Sequence, residues 1–258
     1  MRVSALMYHD VIGADGVRGG FEGPGPAVYA VGEDDLERQL DGIEAALATP
    51  PSRAEEGPPR DGAWMLTFDD GGSSAAAVGD ELQRRGWPGH FFVATDMLGQ
   101  PGFLDRDGVR RLAAQGHVVG SHSCSHPARM ADLDPPRLRE EWSRSVTLLT
   151  DALGAPVVTA SVPGGLYSDD VGRAAAESGI ATLFTSQPVR SVGRVDGCAL
   201  VGRFAVRAST PTAAVVAAAS GRAGPWLRQR AGWEARGLAK RAAGSRYERV
   251  RGVLLSRR

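Results

Sequence analysis

Trp64-Met65-Leu66-Thr67-Phe68-Asp69-Asp70-Gly71-Gly72 is the stretch on which the reading of this chain turns. Its first five residues form an uncharged, mostly apolar run, the pattern of a strand covered on both faces in a parallel sheet. The run stops at two adjacent carboxylates and two glycines. Successive side chains of a strand point to opposite faces, so Asp69 and Asp70 can enter one pocket only if the chain leaves the extended form between them. The glycines predict a sharp turn at that place. A helix N-cap ahead of Ser73-Ser74-Ala75 is the competing explanation. It accounts for one acid and leaves the other without a role.

Further along, Gly116-His117-Val118-Val119-Gly120 repeats the buried-strand pattern and runs into Ser121-His122-Ser123-Cys124-Ser125-His126-Pro127. Two imidazoles at i and i+4 can converge on one cation if the segment between them winds through about one helical turn. Two imidazoles and a carboxylate leave open positions on Zn²⁺ and also suit other divalent ions such as Co²⁺ or Ni²⁺. Cys124 lies between the two histidines, so a thiolate ligand is conceivable. With His122 and His126 facing a cation, however, the residue between them is expected to point away.

These residues resemble the first two motifs of the polysaccharide deacetylase (NodB-homology) family of carbohydrate esterases. The resemblance rests on Thr67-Phe68-Asp69-Asp70-Gly71 and His122-Ser123-Cys124-Ser125-His126, in that order and each after a strand. It runs over residues 2–220 and takes in Tyr8-His9 and Pro163-Gly164-Gly165. It implies that Asp69 is the general base and that Asp70, His122 and His126 hold the metal. The backbone N–H of Gly164, after Pro163, is the implied oxyanion donor, with Tyr167 on the substrate side. The activity implied is removal of an N-acetyl group from a sugar. An Asp69 already locked in an ion pair would accept a proton less easily.

Three features depart from the family pattern. The third motif's Arg, which orients the base, is replaced by Ser161, and Arg203 at the start of the last strand is the candidate spatial substitute. No Asp-plus-Trp motif follows Pro163. The late Leu-x-x-His, whose His is the general acid, is missing, since no His occurs after His126. Leu6-Met7-Tyr8-His9 has that form at the end of the first strand. Because strand order around a barrel matters more than where the chain begins, His9 is read as the acid. A similar opening marks the poly-N-acetylglucosamine deacetylase branch, whose motifs look circularly permuted. Two rival readings remain. One keeps the metal site but hydrolyses an O-acetyl ester or a non-sugar amide or imide; the other is a non-catalytic glycan-binding barrel.

Around these motifs the chain alternates strands with helices. Strands are predicted at 3–8, 64–68, 90–94, 117–120, 157–162, 181–185 and 201–206, and helices at 33–48, 73–86, 105–115, 135–153, 168–178 and 211–220. Such alternation predicts a parallel sheet with right-handed crossovers. With the resemblance, the expected fold is α/β: an irregular (β/α) barrel of about seven parallel strands, with the chemistry at the strands' C-terminal ends. The Gly- and Pro-rich stretch 13–31 reads as a long loop or lid, and 50–62 as an exposed linker. His90 and His117, at strand beginnings, read as structural. Asp10 is either an orienter of His9 or ordinary loop.

The 258 residues suit one large domain, 1–221, followed by a basic helical extension, 222–258. The net charge of zero conceals an asymmetry: residues 222–258 carry eleven Lys/Arg against two Asp/Glu, the remainder nineteen against twenty-eight. Basic charge confined to one appendage argues against a nucleic-acid binder. In the tail, Tyr247, Val250 and Leu254 share a helical face among arginines. This face is read as packing on the barrel, with peripheral contact to an anionic membrane as the alternative. The N-terminus is too quickly polar for a secretory signal, and no apolar run approaches the roughly 20 residues of a membrane span. The two cysteines make no disulfide framework. A cytoplasmic location is expected, at the inner membrane face if the substrate is a lipid-linked saccharide.

Overall fold

The computed structural model describes residues 1–13, 16, 18–54 and 59–243, with side chains to residue 235. In chain order the strands are β1 (Ser4–Tyr8), β2 (Val11–Ile12), β3 (Val31–Gly32), β4 (Trp64–Phe68), β5 (His90–Val93), β6 (Val118–Ser121), β7 (Thr159–Ser161), β8 (Thr182–Phe184), β9 (Gly193–Val195), β10 (Cys198–Val201) and β11 (Arg203–Ala205). The helices are α1 (Pro24–Ala27), α2 (Glu33–Ala46), α3 (Ala75–Arg84), α4 (Arg106–Ala114), α5 (Pro135–Leu153), α6 (Asp169–Glu177), α7 (Thr212–Ala219) and α8 (Ala223–Ala243). Every residue of β4 is buried, as its uncharged sequence requires.

The main sheet has the order β11-β1-β4-β5-β6-β7-β8-β10-β9. Its pairings are parallel except β9 against β10. Among the described residues no ladder joins β9 or β10 to β11, so hydrogen bonding does not close the expected barrel. The chain itself ties the two ends together. β10 pairs with β8 at one end, β11 pairs with β1 at the other, and only Gly202 separates them. A Cβ on Gly202 would lie 2.4 Å from the Val189 carbonyl oxygen, so the crossing needs a glycine. This break divides the single strand predicted over 201–206. The hairpin β9–β10 is also absent from the sequence reading. Its Asp196-Gly197 turn has positive φ at both residues (45° and 85°), the form that Asp-Gly favours.

Alternation along each strand sorts the core. From β1, Leu6 and Tyr8 face the helix layer, while Ala5 faces the inside of the curved sheet with Met65, Phe92, Phe184 and Val201. Helix α2 presents Leu36, Leu40 and Ile43 to the outer core, each contributing roughly 1.5–3 kcal/mol on burial. Helix α5 begins at an Asp134 N-cap and Pro135 and stops at left-handed Gly154 (φ 67°), as its sequence signals. Trp142 on this helix is fully buried and donates to the Val171 carbonyl at 3.2 Å.

Two expectations need correction. The 50–62 segment is not an exposed linker throughout, because Ala54 is fully buried at the N-terminal end of the sheet. Its N–H donates to His90 Nε2 at 3.1 Å. Nor is the Gly/Pro stretch 13–31 wholly irregular, since α1 forms there and β3 pairs with β2. In the basic extension, Trp226 of α8 is buried against Phe204. Gln229 caps the edge strand: its side chain accepts from the Ala205 N–H and donates to the Ala205 carbonyl, both at 2.8 Å. That satisfies backbone groups a free sheet edge would leave open. Tyr247, Val250 and Leu254 lie outside the described residues.

Candidate metal centre

The turn after β4 solves the problem set by two adjacent acids. Asp69 is still tied to β1, its N–H donating to the Tyr8 carbonyl at 3.0 Å. Asp70 then takes φ 79°, and Gly71 follows at 76°. Left-handed backbone at Asp70 swings its carboxylate to the side that Asp69 occupies. A non-glycine residue there costs roughly 1–2 kcal/mol. Gly72 is needed for another reason, since a Cβ would lie 2.9 Å from the Gly20 nitrogen, where the 18–32 loop crosses.

The histidine segment converges by a related device. No helical turn joins His122 to His126; Ser123 (φ 63°) and His126 (φ 54°) are both left-handed. Of the four non-glycine residues with positive φ among the described residues, three are Asp70, Ser123 and His126. Strain gathered in one place in this way marks a functional site.

Asp70 Oδ1 lies 3.4 Å from His122 Nε2 and 3.3 Å from His126 Nε2. The ligand atoms of these three residues lie within 4.8 Å of one another. His122 Nδ1 is 2.9 Å from the Ser161 carbonyl, which can only accept, so Nδ1 carries a proton and Nε2 is left facing Asp70. Facing this carboxylate, Nε2 either carries a second proton and donates it, making His122 an imidazolium, or stands bare with a cation between the two. Burial works against charge on Asp70, but the hydrogen bonds from His122 and His126 outweigh it and hold the acid far below the usual range. Burial likewise opposes a charged His122, and the Asp69 and Asp70 carboxylates reverse this, raising its pKa. The donor set therefore fits a divalent cation.

Asp69 stands beside the cluster, Oδ2 4.0 Å from His122 Nε2. Arg203 grips both its oxygens, Nη1 to Oδ1 at 2.6 Å and Nη2 to Oδ2 at 2.8 Å. Ser161 Oγ donates to Oδ2 at 3.2 Å and itself accepts from Arg203 Nη2 at 2.7 Å. Arg203 is fully buried, in register with Ala5, and its guanidinium lies 5.9 Å and 6.0 Å from the Phe92 and Phe184 ring centres. Burial pushes the Asp69 pKa up, and the neighbouring guanidinium and His122 more than reverse this, so it is lowered.

Residues 56–183 match the family model described as polysaccharide deacetylase. The chain belongs to the polysaccharide deacetylase family. A chitooligosaccharide deacetylase of Sinorhizobium fredii is 32% identical over 133 residues, covering 50% of this chain and 59% of that protein. The chain thus matches less than two thirds of the length of the curated relatives found first. Two solved structures share the fold. One is the Streptococcus pyogenes deacetylase PplD in complex with acetate, with TM-score 0.69 and 17% identity over 85% of this chain and 98% of that one. The other is IcaB from Ammonifex degensii, with TM-score 0.65 and 23% identity over 85% and 97%.

Other site candidates of this polysaccharide deacetylase family member take varied positions. His9 follows β1, its ring stacked on Tyr29 at 4.5 Å, with Nδ1 enclosed and lacking a partner. Burial lowers its pKa, against the raising pull of Asp70 and Asp69. Asp10 does not orient it. Asp10 Oδ1 accepts from Ser74 Oγ (2.6 Å) and the Gly19 N–H (3.2 Å). Pro163 is buried, while Gly164 is exposed at φ 66°, and a Cβ there would lie 2.2 Å from the Ala128 carbonyl oxygen. Tyr167 turns its hydroxyl toward Asp169 (3.5 Å) and packs over Gly172 of α6, so its polar end serves that helix. Burial together with the Asp169 charge pushes its phenol up to about 12. His90 and His117 are satisfied by backbone partners. Cys124 is buried and outside the ligand group.

Sequence reasoning missed Glu141. Buried on α5, it accepts from the Cys124 N–H (3.0 Å) and Ser125 N–H (2.9 Å) through Oε2, and from Ser125 Oγ (2.6 Å) through Oε1. Ser145 on the same helix bonds Ser121 at 2.7 Å. The signal was available: Glu141 lies one helical turn from Leu138 and Ser145 on the stripe α5 turns inward.

Proposed function

We propose that this chain is a metal-dependent carbohydrate de-N-acetylase. The observation that carries the reading is one carboxylate oxygen facing two imidazole Nε2 atoms, with a second, separately anchored carboxylate beside them. Asp70, His122 and His126 would hold Zn²⁺, Co²⁺ or Ni²⁺. Such an ion supplies Lewis acidity toward an acetyl carbonyl and toward water. Asp69 is the base. Arg203 keeps it ionised and aimed, at some expense of basicity, so it is ready to accept a proton across a wide pH range. The ion pair set out above as an obstacle is therefore part of the device, and Arg203 supplies the orienting cation that Ser161 lacks.

His9 is the proton donor to the departing amine. Its lowered pKa means that it must gain its proton during turnover. The Gly164 N–H is the oxyanion donor. Only glycine fits this position, where a Cβ would strike Ala128. The motif order supports the poly-N-acetylglucosamine deacetylase branch, and the chitooligosaccharide deacetylase relative supports an N-acetylglucosamine-containing substrate. Residues 1–221 form the catalytic unit in this reading and 222–258 a basic extension. Among the described residues no helix is long and apolar enough to cross a membrane. Cytoplasmic action at the membrane face, on a lipid-linked saccharide, belongs to the same proposal.

The test is acetate release from N-acetylated chito-oligosaccharides by chelated and metal-reloaded protein, with Asp69→Asn alongside. Chelation should abolish release and reloading restore it. Asp69→Asn should bind one equivalent of metal and lose at least about 10²-fold in turnover. A chain that binds no stoichiometric metal, or an active Asp69→Asn, would overturn the assignment. Retained flotation with anionic vesicles after deletion of 222–258 would exclude that segment as the anchor.

A further inference from the structure

Beyond the metal cluster, a pocket of about 350 Å³ opens where β11 ends and α7 and α8 begin. Arg207 and Arg228 line it, with Phe204, Pro211, Ala214 and Pro225 among its apolar walls. Neither arginine forms an ion pair among the described residues. Arg207 Nε is enclosed and has no hydrogen-bond partner. No Asp or Glu occurs between Asp196 and Glu234, so the elements that build the pocket bring no acid of their own. Two arginines with no acid among these elements leave positive charge uncompensated along the pocket, which favours an anion there.

The position of this pocket relates it to the chemistry. The Arg207 guanidinium lies 5.8 Å from the centre of the Tyr29 ring, and the other ring stacked on Tyr29 is His9. β11 is the parallel neighbour of β1, so Arg207 and His9 both follow the C-terminal ends of adjacent strands. The planar, forked donors of arginine match the oxygens of a phosphate, and the apolar walls accommodate an aliphatic substituent on it.

We infer that this pocket binds a phosphate carried by the saccharide substrate, holding the sugar beside the deacetylation centre. The inference rests on the deacetylase reading for its substrate but not for its binding test. Calorimetry with inorganic phosphate, on the full chain at low ionic strength, should show binding. Arg207→Gln and Arg228→Gln should each weaken it by about tenfold, the loss of one charge-assisted contact, and added salt should weaken it further. Arg228 is exposed, so its variant folds whatever happens to Arg207→Gln.

Turnover then identifies the source of the phosphate. N-acetylglucosamine is compared with its 1-phosphate monoester and with the phosphodiester to a short alkyl chain. Either phosphate form should show the lower KM, an advantage that both variants remove. A preference for the diester identifies a lipid-linked sugar, and a preference for the monoester a free sugar phosphate. Absence of phosphate binding, or variants that raise KM equally for neutral and phosphorylated sugars, would overturn the inference. Binding without turnover of any sugar would overturn the deacetylase reading and leave the phosphate site standing.

Discussion

Glu141 anchors the middle of the histidine loop through three hydrogen bonds, and its replacement separates positioning from bulk stability. In Glu141→Ala, the N–H groups of Cys124 and Ser125 and the Ser125 hydroxyl lose their acceptor inside the protein. Hydrogen bonds to a charged acceptor contribute roughly 1.5–3 kcal/mol each, and donors left buried cost about 1–3 kcal/mol. Ser125 is partly exposed, so water recovers some of this, and a net loss of about 3–5 kcal/mol is expected. Glu141→Gln is different. Its amide oxygen can still accept from both N–H groups while its NH₂ donates to Ser125 Oγ, so only the charge is lost, about 1–2 kcal/mol. Urea unfolding of metal-free protein measures these differences. Calorimetric metal titration should show affinity weakened about 10–100-fold in Glu141→Ala, because His122 and His126 are no longer held in register, and much less in Glu141→Gln. Equal stabilities for the two variants, or unchanged metal affinity in Glu141→Ala, would refute the reasoning.

Arg203→Met leaves Asp69 buried with its charge uncompensated and should lose about 3–5 kcal/mol in urea unfolding, whereas Arg203→Lys keeps the charge but not the two-pronged grip and should fall between. Gly164→Ala places a Cβ against the Ala128 carbonyl at positive φ; activity should fall sharply while metal stoichiometry measured by atomic absorption stays at one. Burial pushes His90 down to about 4, against 6.5 for the free side chain. Between those values the unfolded chain binds a proton that the folded chain refuses, so stability is complete above pH 6.5 and falls by roughly 2–4 kcal/mol as pH drops toward 4. Denaturant midpoints across that range should show the limb in the wild type and a weaker one in His90→Asn.

Much of the fold was legible because it depends on local pattern. The uncharged run at 64–68 and the Asp134-Pro135 start and Gly154 end of α5 are each decided within a few residues of chain. The site was legible in part for the same reason: acids and imidazoles beyond buried strands are a short-range signal. Where the reading failed, the cause was long-range. The segment 201–206, read as one strand, is divided at Gly202, where the carbonyls of Gln187 and Val189 leave no room for a Cβ. His122 and His126 converge through left-handed Ser123 and His126 and not through a helical turn, with Glu141 of α5 tying down Cys124 and Ser125 between them.

The sequence by itself determined the strand–helix alternation and the identity of the four groups at the centre, because hydrophobic period and residue chemistry are properties of the chain alone. The sequence offered Arg203 as a candidate partner of Asp69, 134 residues away, and only the tertiary structure put its guanidinium on both oxygens of that acid. It also decided that Tyr167 would serve α6 and that Glu141 would hold the histidine loop. A buried charge must find its partner in space, and the parallel sheet that brings β11 beside β1 makes neighbours of residues the chain keeps far apart.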